Sequence, residues 1–81
     1  MNLTQAETLD RLQEIFRNVL DRPSLRIAPD TAQAHLPEWD SMAQVHLILS
    51  IEQEFRLRLT AREASEMVSV GAILDLIVAK A

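Results

Sequence analysis

The sequence predicts an all-α fold: a small antiparallel four-helix bundle, three helices long and one short, with a long loop between the first and second. Three observations carry this. Apolar residues recur at i, i+3, i+4 and i+7 along most of the chain. Val, Ile and Thr nowhere alternate with polar residues over a strand's length. Only one of the 81 residues is glycine. The chain is expected to form one domain over residues 1–81, burying roughly 60% of the surface its unfolded form exposes.

Helix 1 is expected over about 4–20. Thr4 and Glu7 have capping-box spacing, and Leu9, Leu12, Ile15, Phe16, Val19 and Leu20 form one apolar stripe. A loop over 21–39 follows, because Pro23, Pro29 and Pro37 forbid a continuous helix. Leu25, Ile27 and Leu36 are the residues that should pin it to the core. A loop this long in so small a domain tends to be functional. Helix 2 is expected over about 40–56 with Asp40 as N-cap. Thr60 and Glu63 repeat the capping-box form and open a short helix 3, about 60–66. Ser69 can cap helix 4, about 69–80, with Val70, Ile73, Leu74 and Ile77 facing inward.

Composition excludes several classes. Nearly half the residues are apolar and a quarter charged, which suits a folded globular protein. The absence of cysteine removes disulfides and thiolate zinc sites and fits a reducing cytoplasm. The N-terminal stretch has no basic region and no uninterrupted apolar run, so no signal peptide is expected; Asn2-Leu3-Thr4 matches a glycosylation acceptor by letter only. No stretch approaches the ~20 apolar residues of a membrane span. The net charge of −4 disfavours nucleic acid, which needs clustered Lys and Arg, and favours basic protein partners.

Helix 2 holds the informative anomaly. At about 100° per residue, Leu47, Ile51 and Phe55 share one face, while Met42, Val45 and Leu49 share the opposite one. Either the helix is central and surrounded, or the second stripe docks a partner or covers a ligand. Ser41 lies at the N-terminal end of that stripe, where free N–H groups and the helix dipole favour a phosphate ester. A nucleophilic role is not supported. His46 lies about 140° around the helix from Ser41, and the strand-turn-helix elbow of serine hydrolases is missing. His35 and His46 lack paired metal-ligand spacing, so neither a metal site nor catalysis is expected. Arg56, Arg58 and Arg62 near the helix 2–3 junction read as a solvated surface.

The stretch "DSMAQVHLILSIEQEF" resembles the acyl carrier protein signature, in which Asp-Ser-Leu opens helix 2 and an aliphatic run leads to Glu-x-Glu-Phe. The resemblance continues through "TAREASEMVSVGAILDLI" and covers about residues 36–78, with Glu52, Phe55, Glu63, Met67 and Val70 at matching positions. It implies that Ser41 carries a 4′-phosphopantetheine arm, installed from coenzyme A by a phosphopantetheinyl transferase that Asp40 helps to recognise the site. Acyl or aminoacyl groups would ride on the arm's thiol. Met42, Val45 and Leu49 match the partner-facing side of helix 2. Docking is therefore expected to draw on Glu38, Trp39, Met42, Val45, Leu49 and Glu52.

The chain also departs from the family pattern. Glu38 stands where the family commonly has glycine, with Trp39 after it, and the Gly-Gly-x-Ser of peptidyl carriers is absent. Ala43 and His46 replace frequent acids of fatty-acid carriers. The Trp-Asp-Ser step resembles stand-alone carriers beside specialised biosynthetic enzymes. The expectation is thus a monomeric, cytoplasmic, non-catalytic carrier. It would be served by an acyl- or aminoacyl-activating ligase and downstream enzymes of polyketide-like or modified fatty acid biosynthesis. An aminoacyl or peptidyl carrier, and an unmodified helical adaptor, are the alternatives.

Overall fold

The computed structural model describes residues 4–80, which form helices α1 (Gln5–Val19), α2 (Ser41–Phe55), α3 (Ala61–Ser65) and α4 (Val70–Lys80). Asn2 of the glycosylation-like triplet lies outside the described residues. All four helices begin where their capping chemistry places them. Thr4 and Thr60 accept from the N–H groups of Glu7 and Glu63, and the two glutamates accept in return from the Thr4 and Thr60 N–H groups. Asp40 Oδ1 accepts from the Ala43 N–H at 2.9 Å, and Ser69 Oγ from the Ala72 N–H at 3.1 Å.

The core is one cluster fed by every long helix. Leu12, Ile15 and Phe16 come from α1, Ala43, Leu47, Ile51 and Phe55 from α2, and Val70, Ile73, Leu74 and Ile77 from α4. Helix α3 is too short to bury a face of its own, and Met67, two residues beyond its end, is fully buried instead. An ion pair of 2.9 Å between Lys80 and Glu63 ties the end of α4 back to α3.

The long segment between α1 and α2 is more ordered than a plain loop over 21–39 implies. Leu25, Ile27 and Leu36 are buried as expected. Beyond them, the backbone is stitched to the α3–α4 junction. The Gln33 N–H donates to the Val68 carbonyl and the Val70 N–H to the Thr31 carbonyl, both at 2.8 Å, around an isolated antiparallel bridge between Ala32 and Ser69. A single 3-10 turn spans Gln33–His35. The Gly71 N–H donates to the Pro29 carbonyl at 2.8 Å, and a Cβ at Gly71 would stand 2.9 Å from that same oxygen. The one glycine in the chain therefore sits where a helix start and the loop backbone approach too closely for any side chain.

Candidate functional site

The sharp features of the sequence converge on the start of α2. Leu36–Trp39 form a turn, with the Trp39 N–H donating to the Leu36 carbonyl at 2.9 Å and Pro37 at the position where its fixed φ is favoured. The turn swings Trp39 into the core and leaves Glu38 outside. Asp40 is extended (φ −95°, ψ −171°), which reverses the chain into the helix and points its carboxylate at the first turn.

Ser41 follows as the first helical residue and is exposed. The first N–H groups of a helix have no intrahelical acceptor. Asp40 takes that of Ala43, and those of Ser41 and Met42 have no recorded acceptor among the described residues. An exposed hydroxyl thus stands beside uncommitted donors at the positive end of a 15-residue helix, a setting that suits a phosphodiester. The Asp40 carboxylate opposes this charge, but it is engaged in capping.

The second stripe of α2 is an open surface and not a surrounded one. Met42, Val45 and Leu49 are 70%, 53% and 58% exposed, while Leu47 and Ile51 on the opposite face are essentially buried. Val68 (55%) is also exposed, in the segment whose Met67 carbonyl is bonded to α2 through Gln44. Large apolar side chains in such a row are unusual for a free surface.

Two expected docking residues are placed differently. Trp39 does not belong to a docking surface: it is only 2% exposed, packed edge-on to Phe16 with ring centroids 4.9 Å apart at 87°. Half-buried Glu52 is turned inward along the chain, accepting from the Leu59 N–H at 2.9 Å and so holding the α2–α3 connection. Glu38 is exposed as expected, but its carboxylate faces Arg22 at 3.3 Å.

Sequence reasoning passed over Gln44. Its Oε1 accepts from the Trp39 Nε1–H, and its Nε2 donates to the carbonyls of Ala64 (3.1 Å) and Met67 (3.2 Å). Gln33 complements it, donating to the Trp39 carbonyl at 3.0 Å. The available signal was chemical: a buried indole N–H needs a partner, and Gln44 lies on the flank of the core face little more than one turn away.

A family model described as a phosphopantetheine attachment site matches residues 10–77. The chain is 28% identical over 75 residues to the acyl carrier protein of Thermosynechococcus vestitus, covering 93% of each. It is 27% identical over 77 residues to that of Acidothermus cellulolyticus, covering 95% of this chain and 92% of the relative. Among solved structures, it is similar to the solution structure of a holo acyl carrier protein from Geobacter metallireducens. The two share 33% identity and a TM-score of 0.82, over 90% of this chain and 84% of that one.

Proposed function

Since the chain belongs to the acyl carrier protein family and its prosthetic group is 4′-phosphopantetheine, we propose that Ser41 is the attachment point. We also propose that the outer stripe of α2 is the face read by partner enzymes. The observation that carries this is the exposed Ser41 hydroxyl at the first turn of α2, beside two uncommitted N–H groups and directly before Met42.

Each residue then has a task. Ser41 exchanges its hydroxyl hydrogen for the phosphoryl end of the arm, and the Ser41 and Met42 N–H groups face the charge that the bond introduces. Asp40 holds the first turn rigid through Ala43 and keeps Ser41 turned outward. The arm, when bound, supplies a thiol that holds acyl groups as thioesters. Met42, Val45 and Leu49 give the transferase and later enzymes an apolar surface to cover. Tethering raises the local concentration of cargo at a docked partner without any new contact.

The finer reading is a carrier acting as one domain and dedicated to a small set of specialised biosynthetic enzymes. It is supported by the sparse charge of the docking face: Ala43 is buried, His46 is the exposed residue between the stripe positions, and the nearby acids Glu38, Asp40 and Glu52 are each engaged within the protein. Docking that leans on apolar fit favours dedicated partners over general electrostatic capture.

The test is direct. Incubation with coenzyme A and a promiscuous phosphopantetheinyl transferase should raise the mass by one arm on the wild type and leave Ser41→Ala unchanged. Equal gain on both would move the attachment elsewhere.

A further inference from the structure

We propose that Trp39 is a plug that fills the bundle beneath the attachment point, so that an acyl cargo stays outside the helices whatever its length. This rests on the reading of Ser41 as the attachment site.

Trp39 lies two residues before Ser41, yet its ring is almost wholly buried in the common core, edge-on to Phe16. The first core-facing residue of α2, Ala43, brings only a methyl group, and the indole supplies the volume at that end. The ring is also pinned on every polar side. Its Nε1–H is held by Gln44, whose amide is in turn committed to the carbonyls of Ala64 and Met67. Its own backbone is held by the Leu36 carbonyl and by Gln33.

Magnitudes decide against entry. A buried indole removes ~150–250 Å² from water. An octanoyl chain offers roughly 30 Å² per methylene, or about 200 Å² in all. Exchanging one for the other returns no net apolar burial. It also breaks the bond from Nε1 to Gln44, along with the packing of Gln44 against the end of α3. An acyl chain entering at this end therefore gains nothing that the indole does not already supply.

Selection of cargo by length then belongs to the partner enzymes, and the carrier holds short polar and long apolar groups in the same exposed way.

The experiment uses protein loaded from acetyl- and octanoyl-coenzyme A, with the mass gain confirmed first. Cleavage of each thioester by hydroxylamine is compared with free acetyl- and octanoyl-pantetheine, and Trp39 emission and Tm are recorded. On the wild type, both thioesters should react within about twofold of their free counterparts, with no length-dependent change in emission or Tm. Trp39→Ala, or Trp39→Leu if the alanine variant does not fold, should slow octanoyl cleavage at least fivefold and raise Tm over the acetyl form. Octanoyl protection on the wild type overturns the plug, as does a folded variant that gains no protection. Absence of the mass gain instead overturns the attachment reading and is seen before any thioester is assayed.

Discussion

Gln44 joins three segments through one side chain: the turn that carries Trp39, the first turns of α2, and the end of α3. Replacing it with alanine strands a buried indole N–H and the Met67 carbonyl at once, while the Ala64 carbonyl keeps the Met67 N–H. A stranded buried polar group costs about 1–3 kcal/mol, so Gln44→Ala should lower unfolding stability by at least that much in a urea titration. Trp39→Phe removes the N–H while keeping most of the apolar volume. The two changes should therefore be non-additive, with a coupling of about 0.5–3 kcal/mol. A Gln44→Ala protein within about 0.5 kcal/mol of wild type, or strict additivity, is incompatible with the network. Ser41, Asp40, Met42, Val45 and Leu49 could be placed from spacing alone, because helical period fixes their faces. Trp39 could not, because its inward direction depends on the Leu36–Trp39 turn, which is a backbone property that no periodicity reports.

Helix starts carry readable capping residues, whereas the closures of α1 and α2 carry no glycine to mark them. Both α1 and α2 close with a left-handed residue, Asp21 (φ 54°) and Arg56 (φ 53°). In each case the next N–H reaches back to a carbonyl five residues earlier, Arg22 to Arg17 and Leu57 to Glu52. This is the usual closing geometry at which glycine is strongly preferred, but here no glycine marks it. A side chain in that conformation costs roughly 1–2 kcal/mol, partly offset in glycine by its freer unfolded chain. Arg56→Gly should thus stabilise the protein by about 0.5–1 kcal/mol in thermal or urea unfolding, and Asp21→Gly by less, since aspartate tolerates the conformation better. An unchanged or lowered Tm for Arg56→Gly would sink this account. The helix starts carry their own pH signature. The Thr4 backbone N–H holds Glu7 below the ordinary carboxylate range, and the Lys80 ammonium, followed by the Thr60 N–H, does the same for Glu63. A carboxylate with a lowered folded value binds its proton more readily when unfolded. Its contribution is present above the unfolded value and is lost as pH falls through the folded one. Stability should therefore decline from about pH 5 downward, and Glu63→Gln should flatten part of that slope while lowering Tm at neutral pH. Equal slopes for variant and wild type would remove Glu63 from the cause.

At the scale of the whole molecule, the question is what brings partners to α2. The net charge of −4 suggests electrostatic capture, but the acids of α2, Glu52 and Glu54, are occupied within the protein. Arg11 pairs with Glu54, Arg17 with Glu14, Arg22 with Glu38 and Lys80 with Glu63. What α2 leaves unpartnered is apolar: Met42, Val45 and Leu49, in a row that starts beside Ser41. Exposed ion pairs are worth about 0–1 kcal/mol, whereas covering one large aliphatic side chain is worth about 1.5–3 kcal/mol. The apolar term should therefore dominate docking. Leu49→Ser is expected to lower kcat/KM for arm transfer by about tenfold or more, since about 1.4 kcal/mol corresponds to one decade. Its unfolding stability should stay within about 0.5 kcal/mol of wild type, as for other surface changes. Glu38→Gln should change the same rate by less than about threefold, and raising salt from low to physiological strength should do no more, because the stripe itself is apolar and the acids Glu38 and Glu52 beside it are engaged within the protein. A tenfold loss in Glu38→Gln with Leu49→Ser unaffected would reverse the assignment and make charge the organiser of this surface.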